Sequence, residues 1–334
     1  MRAAYLSHPG PIEGAPLIVG ERPMPEPGPG QVRVRVAACG ICHTDLHVAE
    51  GDLPPRRSPV IPGHQIVGVV EAMGPGATAA GRRIGERVGV TWLAWACGTC
   101  EACRRGDENL CECARFTGYD VDGGFAQHAL ADASFVVPLP GMFDDVHAAP
   151  LLCAGVIGYR ALRVAGVRPG ERLGLFGFGA SAHLAIQVAV RWGCEVAVVS
   201  RGAHHRELAA ALGARWTAAP GDPLPQILDR AVVFAPAGEV VVAALRAVRP
   251  GGVVAVNAVT LDRLPEMPYG VLYGERVLRT VANLTRRDAV EFLRVAVETP
   301  VRVDVETFPL DAVNEALARL KRGALRAAGV LLPG

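Results

Sequence analysis

Lysine is almost missing from this chain of 334 residues: Lys321 is the only one, and arginine carries nearly all the positive charge. The 34 basic residues are matched by 33 acidic ones, for a formal net charge of +1. That balance argues against a nucleic-acid or anionic-membrane partner, which a basic surface would advertise. The arginine bias itself reads as genome composition. A long apolar run is also lacking. The most apolar stretch, residues 173–190, is broken by Gly177, Gly179, His183 and Gln187, whereas a membrane helix needs roughly 20 apolar residues in a row. Residues 1–20 have no cationic start followed by an apolar core and a cleavage site, so they do not read as a secretory signal. These absences point to a cytoplasmic protein. There is no internal repeat and no low-complexity linker.

What is present suits a well-packed globule, with half of the residues apolar and 20% charged. The length favours two domains. Up to about residue 140 the chain reads as short β segments among glycines and prolines. Residues 31–37 (QVRVRVA) alternate polar and apolar side chains, as a half-buried strand does, and 66–72 and 87–90 read as further strands. After residue 144 the pattern changes. Residues 145–165 have helical spacing and contain Cys153. Strand 172–177, helix 180–192 and strand 195–200 then form a βαβ unit of about 30 residues. Helix 205–212, strand 231–235, helix 239–248 and strand 252–257 continue the alternation, which implies a doubly wound parallel sheet. The tail reads as helix 287–297, a β-rich return over 301–308, helix 311–321 and a final strand.

Nine cysteines would suggest disulfides in a secreted protein, but in a cytosolic chain clustered cysteines more often bind metal. Cys97, Cys100, Cys103 and Cys111 place four thiols within a short stretch. Four thiolates complete a tetrahedral zinc shell and leave no open position, so this reads as a structural site. Bridges between such near neighbours would be strained, and a nucleic-acid zinc ribbon would come with a basic surface. Cys39, Cys113 and Cys194 read as spare thiols. A second group is more scattered: Cys42-His43-Thr44-Asp45-x-His47, Gly63-His64-Gln65 some twenty residues on, and a lone Cys153. Two thiolates and an imidazole are a recognised catalytic zinc set with one position left open. Each signal taken singly is weak, since a lone histidine or cysteine is more often surface or core.

The order of G-x-C-H-T-D, G-H-Q, the four-cysteine lobe, P-L-L-C-A-G and a glycine-rich βαβ makes the whole chain resemble the zinc-containing medium-chain alcohol dehydrogenases. The resemblance implies a GroES-like catalytic domain (residues 1–153 and 285–334, with the zinc lobe at about 95–113) and a Rossmann domain (154–284). It makes Cys42, His64 and Cys153 the catalytic zinc ligands, with Thr44 bonding the substrate oxygen and His47 ending a proton relay. By the same match Asp45 orients His64, His43 and Asn283 face the cofactor, and Leu53 and Trp92 line the substrate pocket, although Trp92 reads equally well as core. It further implies two zinc ions per chain, a homodimer or homotetramer, and a small-molecule alcohol or aldehyde as substrate. Three positions depart from the family: Gln65 stands for a glutamate and withholds a negative charge from the metal site, Ile157 stands for a threonine near the nicotinamide, and Ala328 stands for an arginine, with Arg326 two residues earlier.

Gly177-Phe178-Gly179-Ala180-Ser181-Ala182 fits G-x-G-x-x-G/A, and it follows a strand and opens a helix, the context that gives this pattern its meaning. There the backbone can approach a pyrophosphate at the positive end of a helix. Where NAD enzymes place an acid for the ribose, about 20 residues on, this chain has Ser200 and Arg201, with His204 and His205 nearby. Serine and arginine can bond a 2′-phosphate that an acid would repel, so NADP(H) is expected over NAD(H); the bland alternative is an arginine on a solvated loop. The functional expectation is hydride transfer between an alcohol and an aldehyde or ketone. The rivals are a zinc-free quinone or enone reductase of the same superfamily, which would lack the ligand set, and a non-catalytic zinc module, which would have lost a ligand or the glycines.

Overall fold

The computed structural model describes residues 1–299, 301–325 and 328–334; Arg326 lies outside them. The chain divides into two compact units. The first holds Met1–Cys153, Asn283–Arg294 and Val303–Gly334, and the second Ala154–Ala282 and Val295–Arg302.

In the first unit the described residues form a seven-stranded sheet. Its order is Val305–Pro309, Ala328–Leu332, Gln31–Ile41, Gln65–Met73, Arg87–Val90 and Val136–Pro138, with His128–Asp132 also paired to Gln31–Ile41. All pairs are antiparallel except Val305–Pro309 with Ala328–Leu332. The central strand explains itself. Val32, Val34, Val36 and Ala38 face the core while Gln31, Arg33 and Arg35 face outward, the period-two alternation of a sheet with one wet face. Beyond Val36 the register shifts and Ala38, Cys39, Gly40 and Ile41 are all buried, which carries the chain inward to Cys42. Two short helices follow from local chemistry. Helix His43–Glu50 ends at Gly51, whose φ of 85° gives the left-handed C-cap. Helix Val313–Lys321 ends on the chain's one lysine, and Lys321 Nζ reaches Glu13 Oε1 at 3.0 Å and Glu50 Oε1 at 2.8 Å. The far end of the Cys42 helix is thereby tied to the C-terminal segment.

In the second unit six parallel strands lie in the order Trp216–Ala218, Glu195–Val199, Arg172–Phe176, Leu228–Val233, Val248–Val256, Val277–Thr280. Numbered along the chain this is 3-2-1-4-5-6, the doubly wound dinucleotide fold with its switch point beside the first strand. These strands are apolar on both faces (Leu173, Leu175, Val196, Val198, Val232 and Val254 are all fully buried), as a sheet covered by helices on both sides requires.

One expectation needs correction. Residues 145–165 are not one helix. Helix Asp145–Ala148 passes into a 3-10 turn Ala149–Leu152, and Cys153 leaves helical geometry at φ −132°, ψ −72° before helix Ala154–Ala165 begins. Pro150 enters at the first turn of the 3-10 segment, where it removes a backbone donor that a continuous helix would use. By length and composition this stretch could cross a membrane, yet 72% of its apolar window is buried inside the protein.

Candidate metal and dinucleotide sites

Cys42 occupies the N-cap of helix His43–Glu50 in extended geometry. Its Sγ accepts from Thr44 N at 3.3 Å, while Asp45 Oδ2 accepts from Cys42 N at 2.9 Å. This is a capping box with a thiol in the usual hydroxyl position. The other Asp45 oxygen is spent on the next segment: Oδ1 lies 3.0 Å from His64 Nδ1 and accepts from Gly63 N at 3.1 Å. Gly63 has to be glycine. Its φ is 94°, and a Cβ there would lie 2.4 Å from Phe125 Cδ1. That turn presents His64, and Asp45 engages its Nδ1, so Nε2 is the nitrogen that a cation would take in exchange for its proton. His64 Nε2 stands 3.4 Å from Cys42 Sγ.

Cys153, placed by the helix break, brings the third donor. The Cys42 and Cys153 sulfurs and the His64 nitrogen all lie within 4.8 Å of one another. Around zinc such atoms stand about 3.5–3.8 Å apart, from bond lengths of about 2.0–2.3 Å, so the three residues fit the ion with a contraction of about 1 Å or less. The electrostatics agree. The Cys153 thiol donates to Cys42 and holds the Cys42 thiol well below its ordinary value, against the opposing effect of burial and with help from His64. Cys153, as that donor and shielded in part from solvent, is pushed well above its own. Burial works against the His64 imidazolium, yet Asp45 and the Cys42 sulfur raise it to about 10. This pocket attracts a positive charge.

Around this trio the remaining expected residues fall as follows. His47 Nδ1 is 2.8 Å from Asp52 Oδ2. His43, on the first turn of the same helix, is exposed, and Thr44 is half-buried. Trp92 is 8% exposed, edge-on to His64 at 4.9 Å and stacked on Phe116 at 5.3 Å; Leu53 packs against the same core. Gln65 is buried, and its Nε2 has no hydrogen-bond partner among the described residues. Three contributors escaped the sequence reading: Asp52, and the pair formed by Glu108 and Arg286. The Arg286 guanidinium grips Glu108, lies 4.3 Å over the Phe135 ring and donates to Ser134 O, which ties the cysteine lobe to the start of helix Arg286–Glu298. Asn283 adopts φ 57° just before this helix.

Within the lobe, the sulfurs of Cys97, Cys100, Cys103 and Cys111 also lie within 4.8 Å of one another. Backbone amides turn toward them, Cys100 N to Cys97 Sγ at 3.3 Å and Cys103 N to Cys100 Sγ at 3.5 Å. Such N–H donors stabilise thiolates, the form that binds metal. The three spare thiols belong to neither ligand group among the described residues, Cys39 and Cys194 being buried and Cys113 exposed.

In the second unit, Gly177 turns at φ 91° and donates to Val199 O at 2.8 Å; a Cβ on it would stand 2.8 Å from Ala235 N. Gly179 caps helix Ala180–Arg191 with no side-chain hydrogen bond, and a Cβ there would meet nothing within 4 Å. The helix start thus has no side-chain cap and has open space beside Gly179, the setting in which first-turn amides can receive a pyrophosphate. Ala180 opens the helix, whereas Phe178 turns its ring into the core at 3% exposed and offers the turn only its backbone. Ser200 and Arg201 follow strand Glu195–Val199, and their carbonyls both accept from Arg206 Nη1, at 2.7 and 2.8 Å.

Comparison with known proteins agrees with this geometry. The alcohol dehydrogenase GroES-like domain matches residues 28–141 and the zinc-binding dehydrogenase domain residues 182–298. A probable alcohol dehydrogenase, AdhA, of Mycobacterium tuberculosis is 45% identical, with 99% of this chain and 97% of the relative covered. Among solved structures, a cinnamyl alcohol dehydrogenase of Sorghum bicolor superposes with a TM-score of 0.89 at 31% identity, covering 99% of this chain and 97% of that one. A cobalt- and zinc-bound thermostable alcohol dehydrogenase of Pyrobaculum aerophilum gives a TM-score of 0.90 at 26% identity, covering 100% and 99%.

Proposed function

The chain belongs to the zinc-dependent medium-chain dehydrogenase/reductase family and is similar throughout to its alcohol dehydrogenases, and from that premise we propose that it interconverts alcohols with aldehydes or ketones using two zinc ions per chain and NADP(H). The observation that carries the reading is the convergence of Cys42, His64 and Cys153, with Asp45 engaging His64 at Nδ1. It is supported further by the metal content of the Pyrobaculum relative.

When bound, zinc supplies Lewis acidity toward the reacting oxygen and the nicotinamide supplies or accepts the hydride. The chain's own residues do the rest. The Cys42 and Cys153 thiolates and the His64 imidazole would hold the ion. Thr44 bonds the reacting hydroxyl. His47 takes the proton released in oxidation at Nε2, because Asp52 engages Nδ1. Trp92 and Leu53 shape the apolar side of the pocket, and His43 and Asn283 contribute to the cofactor surface. The Gly177–Ala180 turn takes the pyrophosphate, while Ser200 and Arg201 take the 2′-phosphate.

The test is kcat/KM over primary, secondary and aromatic alcohols with both cofactors. The expected result is turnover with NADP at least about tenfold above NAD, worth about 1.4 kcal/mol. A tenfold preference for NAD would overturn the cofactor assignment, and absence of turnover with any alcohol or aldehyde would overturn the enzyme.

Gln65 gives a second expected outcome. Gln65→Glu adds a carboxylate beside His64, and a negative charge there opposes loss of the substrate proton. The rising limb of the kcat/KM profile for alcohol oxidation should move to higher pH by about 1–2 units, by Coulomb's law at protein-like dielectric. An unmoved profile would show that residue 65 does not set the acidity of the site.

A further inference from the structure

The segment after Ser200 carries two histidines that the proposed reaction does not use. Gly202 caps helix Ala203–Ala211 without any side-chain hydrogen bond, so the amides of the first turn have no intrahelical acceptor. Over this glycine the two imidazoles converge. A Cβ on Gly202 would lie 3.2 Å from His204 Nδ1 and 3.2 Å from His205 Nδ1, and the ring centroids are 4.0 Å apart. Any side chain at residue 202 would fill the space onto which both nitrogens close. Arg206 does not compete for that space with its Nη1, which is committed to the carbonyls of Ser200 and Arg201 and fixes the turn. The Arg201 side chain is exposed on the same turn.

Two imidazoles this close repel one another as cations. Burial, and then the neighbouring His204, lower the His205 pKa, so both disfavour a positive charge on it before a ligand arrives. The other charged groups around the helix do not supply a counter-ion. Glu195, at the far end of its strand, bonds Arg215 and Gln226. Asp222, past strand Trp216–Ala218, accepts from Ala219 N. Glu207 lies further along the helix and Arg191 ends the neighbouring helix. None of them forms an ion pair with His204 or His205 among the described residues. A phosphate monoester arriving here carries nearly two negative charges at neutral pH, its second pKa being about 6. Such a dianion reverses the balance and favours the imidazolium.

We propose that His204 and His205 form a proton-loaded subsite for the 2′-phosphate, so that the protein takes a proton from solvent when it binds NADP(H) and none when it binds NAD(H). This rests on the assignment of NADP(H) to the Ser200–Arg201 turn. The consequence is a cofactor preference that strengthens as pH falls from 8 toward 6.5.

The test is calorimetric and needs no turnover. The zinc-loaded full chain is titrated at pH 7.5 with 2′,5′-ADP and with 5′-AMP, in buffers of different ionisation enthalpy. We expect no net proton exchange with 5′-AMP and uptake approaching about one proton with 2′,5′-ADP. In the double variant His204→Asn, His205→Asn the uptake disappears and 2′,5′-ADP affinity falls about tenfold, the scale of a lost charge-assisted contact, while 5′-AMP binds as before. If 2′,5′-ADP binds more tightly than 5′-AMP but with no proton uptake, or equally well to the double variant, the histidine subsite is wrong and the cofactor assignment stands. If 2′,5′-ADP binds no more tightly than 5′-AMP, the cofactor assignment itself fails and the subsite goes with it.

Discussion

Replacing Cys153 with alanine should lower kcat/KM by about 10³-fold or more while leaving the melting temperature within a few degrees. The loss follows from the site. Cys153 supplies one of three donors gathered from three remote segments, and without it the metal loses a thiolate as well as its three-sided grip. Loss of Lewis-acid stabilisation of several kcal/mol corresponds to this fall in rate. The small effect on stability follows from the backbone. Cys153 stands at the break between a 3-10 turn and helix Ala154–Ala165 and is only half-buried, so alanine removes one sulfur without opening a core cavity. Metal analysis should fall from two zinc to one per chain. A variant that kept both metals and more than about a tenth of its activity would show that Cys153 is no ligand.

The second large effect belongs to the cysteine lobe and should have the opposite signature. Cys103→Ala should cost stability and leave catalysis per folded molecule within a few-fold. The lobe has little apolar core of its own: a four-residue helix Glu101–Arg104 without a buried residue, and a 3-10 turn Glu108–Leu110. Segments this small depend on metal or disulfide for cohesion. Arg286 on Glu108 and on Phe135 anchors one edge of the lobe. A loss of about 3–5 kcal/mol is expected, on the order of 10 °C in Tm, well short of the full binding energy of a structural zinc because the rest of the unit stays folded. Calorimetry, metal content and the rate of proteolytic nicking within residues 97–111 would check it. If Tm and zinc content were both unchanged, the four thiols would not be a metal site.

The parts of the molecule that were legible in sequence are those written in periodicity or in covalent donors. Strand Glu195–Val199 announces itself by its valines between helices, and the end of Leu228–Val233 by Val232 and Val233, although its start at Leu228-Asp229-Arg230 does not; the cysteine spacing survives any detail of folding. Short elements were less visible. Trp216–Ala218 and Val277–Thr280 are edge strands of three and four residues, and the second, with Arg279 and Thr280 exposed, has no apolar alternation to betray it. Helix His43–Glu50 is hidden by its own chemistry, since four of its eight residues are histidine or acid. In residues 145–165 the apolar period runs straight through, and Pro150, three residues before Cys153, is the mark of the break that aims it. Least legible were contacts that depend on tertiary closeness. Asp52 reaches His47 only because Gly51 turns the chain back, and Arg286 meets Glu108 across 178 positions of sequence.

The single lysine has a practical consequence. An amine-directed reagent finds one side-chain target on this protein, Lys321, and that amine is clasped by Glu13 and Glu50. Acylation or surface coupling there would orient every molecule alike. It would also release Glu50, the last residue of the helix whose N-cap is Cys42, so the immobilised protein would carry its anchor one short helix away from Cys42.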